Sequence, residues 1–212
     1  MNTRRDIGIK ICGMRDPDNI AQVASFDPDY LGFIAYPDSP RFIGDDFRMP
    51  ATLAPSIQRV GVFVNDTTEN ILQKTRTIGF NYVQLHGKET PDQCLELKDH
   101  GIRVIKVFSV DDAFDFASTK PFVSAVDYFL FDTKGQYFGG NAKTFNWEVL
   151  NQYDQEVPFF LSGGLSAENV AHVSSIKGMN IHALDINSGV EERPGMKSTE
   201  KLKALLTNLR FV

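Results

Sequence analysis

Short apolar strands alternate with helical segments eight times along this chain. Eight such units, each about 25 residues long, fill the 212 residues. Strands joined by helices run parallel with right-handed crossovers, and eight of these units close into a (β/α)8 barrel. A barrel of this kind needs at least about 200 residues. We therefore predict an α/β fold with a single (β/α)8 barrel domain over residues 1–212, close to the minimal length.

Apolar runs and turn residues place the individual elements. The first strand ends at Cys12, and the others are predicted over residues 30–34, 59–64, 82–85, 103–108, 128–132, 159–161 and 183–186. Helices are predicted over residues 17–25, 45–54, 67–77, 91–99, 111–119, 147–151, 167–173 and 198–209. Asp16 is predicted to cap the first helix, and Gly79 and Gly101 are predicted to end two later ones.

The net charge of −5 limits the classes of partner. Binding to nucleic acid or to an anionic membrane surface requires a basic patch, and this composition argues against both. A small anionic substrate remains compatible with it, because local groups decide the binding of such a molecule. We therefore predict a small-molecule partner.

Two cysteines and the lack of a targeting signal indicate a cytoplasmic protein with free thiols. Cys12 and Cys94 are too few for a disulfide framework, and no His/Cys cluster has the spacing of a metal site. No signal peptide is recognisable at the N-terminus, and no apolar run is long enough to span a membrane. Cys94 falls in a predicted outer helix, where it is expected to pack.

The first strand places a cysteine where barrels carry their chemistry. Ile7, Ile9 and Ile11 alternate with Lys10 and Cys12, so the two sets face opposite sides of the strand. If the isoleucines pack against helices, Cys12 points into the barrel at the carboxyl end of the strand. Two interpretations stay open, a small core residue or a working thiol, because free cysteines are commonly buried.

Three further strand ends carry polar side chains. Asp132 closes the sixth strand on its inward face, where it is either a turn former or an acid–base partner for Cys12. Arg41 follows the second strand and is either a solvated loop residue or a two-pronged ligand for a carboxylate. His86 closes the fourth strand and either lines the site or makes an ordinary structural contact.

Glycine-bearing turns follow the last two strands. They are Ser162-Gly163-Gly164 and Ser188-Gly189. Barrels often bind phosphate with these two loops, because glycine lets backbone N–H groups approach the anion closely. Either turn alone is equally compatible with an ordinary strand-to-helix connection. Their occurrence together favours a phosphate site.

Motifs along nearly the whole chain resemble one family. In order they are Ile9-Lys10-Ile11-Cys12-Gly13, Gly32-Phe33 through Ser39-Pro40-Arg41, Val60-Gly61-Val62-Phe63-Val64-Asn65, Val83-Gln84-Leu85-His86-Gly87, Phe131-Asp132, Gly139-Gly140 with Lys143-Thr144-Phe145, Ser162-Gly163-Gly164-Leu165 and Asn187-Ser188-Gly189-Val190-Glu191. Each motif is modest alone, but their order and spacing are specific. Together they are similar to the phosphoribosylanthranilate isomerases of tryptophan biosynthesis.

The resemblance implies a (β/α)8 fold, no cofactor and a particular set of site residues. Cys12 matches the general base, Asp132 the general acid, and Arg41 the ligand of the anthranilate carboxylate. Gly163, Gly164, Ser188 and Gly189 match the phosphate site. The implied reaction is the Amadori rearrangement of N-(5-phosphoribosyl)anthranilate to 1-(2-carboxyphenylamino)-1-deoxyribulose 5-phosphate, by a monomer or a homodimer.

Two expectations qualify this resemblance. An ordinary thiol is mostly protonated near pH 7, and Lys10, on the same inward face, is expected to favour the thiolate of Cys12. In the loop after the sixth strand the family pattern is Gly-Gly-Thr/Ser-Gly-Lys. Here the residues are Gly139-Gly140-Asn141-Ala142-Lys143, so this loop is expected to differ in geometry.

Two other functions remain compatible with the sequence. One is another phosphosugar barrel of the tryptophan or histidine pathways; the related histidine-pathway isomerase uses two aspartates, and Cys12 stands at the first of those positions. The other is a catalytically silent barrel that binds a phosphorylated ligand and regulates a partner. The presence of both Cys12 and Asp132 argues against a silent barrel.

Overall fold

Eight parallel strands form a closed barrel in which each strand pairs with the next and the last pairs with the first. The computed structural model describes residues 7–133, 147–176 and 178–209. The strands are β1 (Gly8–Ile11), β2 (Tyr30–Ile34), β3 (Gln58–Phe63), β4 (Tyr82–Leu85), β5 (Arg103–Val110), β6 (Tyr128–Thr133), β7 (Phe159–Leu161) and β8 (Ile181–Ile186). This closed parallel barrel confirms the predicted fold class.

Within the described ranges, four α-helices and several short 3-10 helices flank the strands. The α-helices are α1 (Pro17–Ala24), α2 (Thr68–Ile78), α3 (Pro91–Asp99) and α4 (Thr199–Leu209). The Asp16 side chain caps α1 by accepting the N–H of Asn19 at 2.9 Å. Gly79 ends α2 with φ of 83°, a left-handed conformation that costs glycine little. No helix in the described ranges is both long and apolar enough to cross a bilayer.

The helix predicted over residues 45–54 is wrong. This segment consists of turns, a bend and irregular backbone. Pro50 has no N–H to donate and disfavours a helical Met49, which explains why no helix forms. Phe47 and Ile57 are buried instead and cover the barrel where a helix would otherwise pack.

Two other predicted helices are shorter and tighter than expected. A 3-10 helix over Phe116–Phe122 replaces the helix predicted over 111–119, and it begins where the Asp115 side chain accepts the N–H of Ala117 at 2.9 Å. A 3-10 helix over Val170–Ser175 replaces the one predicted over 167–173. In the first case the hydrogen bond between the Asp115 side chain and the backbone competes with a longer helix.

A two-stranded antiparallel hairpin after β8 has no counterpart among the predicted elements. Its strands are β9 (Glu191–Arg193) and β10 (Met196–Lys197). Gly195 at the turn has φ of 81°, and it follows Pro194, a pairing of residues that favours a turn. The hairpin lies beside α1, where the Asn19 side chain holds the backbone N–H and carbonyl of Lys197 at 2.8 and 2.9 Å.

The two faces of the strands fill separate cores. Ile9 and Ile11 belong to the outer core between strands and helices, as predicted. The inward residues at the amino ends form an inner core, which contains Tyr30, Val60, Tyr82, Ile105, Val107, Leu130, Phe160 and Ala183. This layer fills the barrel towards the amino ends of the strands, and a cavity lies towards their carboxyl ends.

A buried ion pair holds the loops after β3 and β4. Lys106 Nζ lies 2.9 Å from Glu89 Oε2 and also donates to the carbonyl of Gly87 at 2.8 Å. Glu89 accepts the backbone N–H groups of Asn65 and Gly87 at 2.8 and 2.9 Å. Both charged side chains are almost fully buried, so each compensates the charge of the other inside the fold.

We expect Lys106→Met to lower the free energy of unfolding by about 3–5 kcal/mol, because it leaves Glu89 as an uncompensated buried charge. The matched control is Lys120→Met, which removes an exposed lysine that pairs with Asp154 and Glu156. Exposed pairs contribute little to stability. Urea unfolding of both variants measures the difference, and equal midpoints would contradict a structural role for the buried pair.

Candidate active site

A cavity opens at the carboxyl ends of the strands, above the inner core. Its polar lining consists of Cys12, Ser39, Arg41, Gln84, His86, Asp132, Ser162, Asp185 and Asn187, and its apolar walls are Ile34, Tyr36, Val62 and Val64. The structure therefore brings together Cys12, Arg41, His86 and Asp132, which the sequence singled out. Gln84 and Asp185 were not singled out, although both occupy inward strand positions.

Cys12 occupies the cavity because its neighbours leave room for the thiol. A Cβ at Gly32 on β2 would lie 2.6 Å from Cys12 Sγ, so only glycine fits there. The backbone N–H of Cys12 donates to the Ile186 carbonyl at 2.8 Å, which holds the residue after β1 against the end of β8. Burial raises the pKa of the Cys12 thiol, and the nearby Lys10 opposes this rise without cancelling it.

Lys10 lies two residues before Cys12, on the same inward face of β1, and is fully buried. Its Nζ donates to Asp185 Oδ1 at 2.7 Å and to Gln84 Oε1 at 2.8 Å. Burial alone would lower the pKa of Lys10, but the charges of Asp185 and Cys12 raise it. The expected support of the thiolate by Lys10 is therefore present but outweighed by desolvation, and Asp185 acts in the same direction as burial.

Asp132 and His86 face each other across the cavity floor. His86 Nε2 lies 3.6 Å from Asp132 Oδ2, and both side chains are less than one-tenth exposed. Burial, together with the charges of Lys106 and Lys10, lowers the pKa of His86 to about 3. The imidazole is therefore neutral near pH 7, and the contact places a neutral ring beside a carboxyl group.

Arg41 is held by a residue far away in the sequence. Its Nε and Nη2 donate to the two oxygens of Glu191 at 2.9 and 2.6 Å, which forms a two-pronged pair. Lys197 Nζ approaches the same carboxylate at 2.8 Å and donates to Asn187 Oδ1 at 2.7 Å. Sequence spacing does not reveal Glu191 and Lys197 as partners of Arg41, because their closeness to Arg41 depends on the β9–β10 hairpin.

The two glycine turns contact each other at the rim. A Cβ at Gly189 would lie 2.0 Å from the Leu165 carbonyl oxygen, so the turn after β8 packs against the turn after β7. Gly163 and Gly164 have φ of 98° and 65°. Among the described residues, no acceptor is hydrogen-bonded to the N–H of either glycine. The side chain of Asn169 supports the turn by donating to the Gly164 carbonyl at 2.8 Å.

Two further sequence expectations concern the loop after β6 and a metal site. The loop residues Gly139-Gly140-Asn141-Ala142-Lys143 lie outside the described residues. In the part of the chain that is described, no three His, Cys, Asp or Glu side chains are grouped so that they could hold a metal ion.

Comparison with known proteins gives one consistent result. The family model described as N-(5'phosphoribosyl)anthranilate (PRA) isomerase matches residues 9–208. The N-(5'-phosphoribosyl)anthranilate isomerase of Phocaeicola vulgatus is 41% identical over 202 residues, which cover 95% of this chain and 97% of that protein. The enzyme of Parabacteroides distasonis is 40% identical, over 95% of this chain and 92% of that protein.

Solved structures agree with the sequence relatives. The phosphoribosyl anthranilate isomerase of Thermotoga maritima superposes with a TM-score of 0.81 at 32% identity, over 97% of this chain and 100% of that one. Another structure of the family, solved in complex with reduced 1-(o-carboxyphenylamino)-1-deoxyribulose 5-phosphate, has a TM-score of 0.78 at 30% identity and the same coverage.

Fold and cavity together define a (β/α)8-barrel enzyme with titratable side chains at the carboxyl ends of its strands. The matched family and the relatives then make the assignment specific. The chain belongs to the N-(5'-phosphoribosyl)anthranilate isomerase family, and it is an isomerase of tryptophan biosynthesis.

The lowered pKa of His86 predicts a particular dependence of stability on pH. Between about pH 6.5, the ordinary value for histidine, and the folded value of about 3, the unfolded chain binds a proton that the folded chain does not. The free energy of unfolding should therefore fall as the pH is lowered through this window, by up to about 1.4 kcal/mol per pH unit from this group.

His86→Gln provides the comparison, because it removes the titrating group and keeps a polar side chain. Urea unfolding at several pH values should show that the stability of the variant declines less steeply than that of the unmodified chain. Parallel curves for the two proteins would contradict a neutral, buried His86.

Proposed function

We propose that Cys12 is the general base and Asp132 the general acid of the isomerisation. The observation that carries this proposal is that both groups line the same cavity from different strands. Cys12 follows β1 and Asp132 lies near the end of β6, so β7 and β8 separate them around the barrel. A sugar bound between them would meet one group on each side, as acid–base catalysis requires.

The proposed reaction begins with two proton transfers that involve named side chains. Asp132 protonates the furanose ring oxygen, the bond between that oxygen and C1 breaks, and the anthranilate nitrogen forms a Schiff base with C1. Cys12, as the thiolate, then removes the proton from C2, and the electrons of that bond neutralise the Schiff base to give an enolamine. The enolamine tautomerises to the ketone. In this tautomerisation the C2 hydroxyl loses its proton and C1 gains one. Proton exchange with solvent then returns Cys12 to the thiolate and Asp132 to the acid, so the reaction is an isomerisation that consumes no other reagent.

Arg41 is proposed to bind the anthranilate carboxylate. Glu191 occupies Nε and one side of Nη2, whereas Nη1 makes no hydrogen bond to any of the described residues. A planar guanidinium has five N–H groups, so it can hold Glu191 and still present donors to the cavity that it lines. Gln84, His86 and Asp185 are proposed to complete the polar lining around the sugar.

The phosphate group is proposed to bind at the two glycine turns. Gly163, Gly164, Ser188 and Gly189 lie at the ends of β7 and β8, where barrels commonly bind phosphate. The contact between Gly189 and Leu165 joins the turns into one surface, and the N–H groups of Gly163 and Gly164 are available as donors within the described residues.

The remaining proposals concern the domain organisation, assembly, cellular compartment and cofactor requirement of the enzyme. We expect one barrel domain over residues 1–212, a monomer or homodimer, that acts in the cytoplasm without a cofactor. The two buried free thiols, Cys12 and Cys94, support a reducing compartment. One relative in Thermotoga maritima is described as dimeric, which supports the homodimer as one of the two assemblies.

We expect Cys12→Ser and Asp132→Asn each to lower kcat by at least about 10²-fold, because positioned acid–base groups typically contribute 10²–10⁴-fold. KM should change much less, because a proton transfer is an interaction of the transition state. The assay follows the loss of anthranilate fluorescence from freshly generated substrate.

Cys94→Ser is the matched control for the cysteine, because Cys94 is buried in α3 and lies outside the cavity. Its kcat should stay close to that of the unmodified enzyme. If Cys12→Ser kept near-normal turnover, Cys12 would not be the base, and the same reasoning applies to Asp132→Asn.

For the phosphate site, we expect Gly164→Asp to raise KM at least about tenfold, because it places a carboxylate near the phosphate dianion. Gly101→Asp is the control. Gly101 has a similar positive φ of 77° and open space around its Cα, but it follows α3 away from the cavity. An equal rise in KM for both variants would show that backbone strain, and not a phosphate site, causes the rise. An unchanged KM in Gly164→Asp would contradict the phosphate site.

A further inference from the structure

The guanidinium of Arg41 belongs to a group of three buried charges. Arg41, Glu191 and Lys197, here called the Arg41 cluster, are each less than one-tenth exposed. The two-pronged bond between Arg41 and Glu191 and the 2.8 Å contact between Lys197 and Glu191 link all three. Their formal charges are two positive and one negative, so the cluster has a net charge of +1 when Lys197 is protonated.

The net charge matters because Arg41 alone is neutralised by its partner. An incoming carboxylate that met only the Arg41–Glu191 pair would gain hydrogen bonds but would face a formally neutral pair. The ammonium of Lys197 restores one positive charge to the pair. Interactions between charges are strong in such a buried, weakly polarisable environment, so this positive charge should attract a carboxylate that binds at Arg41.

The position of the cluster is fixed from three sides. The Arg41 side chain crosses Gly13, where a Cβ would lie 2.7 Å from Arg41 Cδ. Glu191 is on β9 and also accepts the N–H of Gly195 at 2.9 Å, within the hairpin turn. Lys197 is on β10, whose backbone is held by Asn19 of α1. The hairpin therefore carries both partners of Arg41 as one rigid unit.

We propose that Glu191 and Lys197 are positioning residues for Arg41, with Glu191 fixing the guanidinium and Lys197 supplying the net positive charge that selects a carboxylate-bearing ligand. This inference rests on the proposed role of Arg41 as the ligand of the anthranilate carboxylate. It assigns to the hairpin, which does not itself line the cavity, the recognition of the aromatic acid half of the substrate.

The titration of Lys197 supports this inference. Burial lowers the pKa of Lys197 to about 8, although the charge and hydrogen bond of Glu191 act to raise it. Cys12 also acts to raise this pKa, and Arg41 acts to lower it. Burial alone would raise the pKa of Glu191, but Arg41 and Lys197 lower it, so Glu191 remains ionised. The net charge of the cluster should therefore fall from +1 to zero as the pH rises through about 8.

The test compares two ligands that differ only in the carboxylate. One is reduced 1-(o-carboxyphenylamino)-1-deoxyribulose 5-phosphate, and the other is the corresponding phenylamino compound without the carboxyl group. Calorimetric Kd values at pH 7 give the preference for the carboxylated ligand as a ratio. The phosphate and sugar are common to both ligands, so a general loss of structure or of phosphate binding cancels in this ratio.

We expect Lys197→Met to reduce the preference at least about tenfold, because it removes the net charge. Lys197→Arg keeps the charge and should retain most of the preference. A Lys197→Met protein that weakened both ligands equally would overturn the inference, because the residue would then have only a structural role.

Arg41→Met separates this inference from the proposed function. If Arg41→Met abolishes the preference and Lys197→Met does not change it, the carboxylate site stands and the role of Lys197 is wrong. If Arg41→Met leaves the preference unchanged, the proposed carboxylate site fails, and the inference fails with it.

The unmodified chain gives an independent test that does not depend on the folding of a variant. The preference should decrease as the pH rises from 7 to 9.5, with a midpoint near pH 8. The same decrease should occur in Cys12→Ser, which removes the thiol that interacts with Lys197. A constant preference, or a decrease that disappears in Cys12→Ser, would overturn the role of Lys197.

Discussion

The ion pair between Lys10 and Asp185 joins the first and last strands of the barrel. The two residues are register partners on β1 and β8, and their side chains meet at 2.7 Å inside the barrel. Removing either side chain would leave the other as an unpaired buried charge at the point where the barrel closes. Cys12 stands one step above this pair, and Asp185 also lines the cavity. The closure of the fold and the position of the proposed base therefore depend on the same contact.

The pair also explains why the cavity does not make the thiol more acidic. Lys10 is a cation near Cys12, but Asp185 neutralises it at short range, and burial dominates the balance. A base with a raised pKa is rarely ionised near pH 7, yet it is a strong proton acceptor when it is.

Local patterns predicted the strands and several helices well. The bounds of β4, β7 and α3 agree with the structure, because apolar runs and Gly101 mark them. The segment over residues 45–54 was wrong because Pro50 opposes a helix. The partners of Arg41 could not be found from spacing, since Glu191 lies 150 residues further along the chain. The pKa of Cys12 could not be predicted either, because it depends on burial and on Asp185, which only the closed barrel brings together.

The central claim is that burial, and not Lys10, sets the protonation of Cys12. The direct measurement is the pH dependence of alkylation by iodoacetamide in a Cys94→Ala chain, where Cys12 is the only thiol. We expect an apparent pKa above the ordinary thiol value of about 8.5. We also expect Asp185→Asn to lower this pKa, since the carboxylate acts with burial to raise it. An apparent pKa at or below about 8.5 in the chain with Asp185 intact would contradict the account.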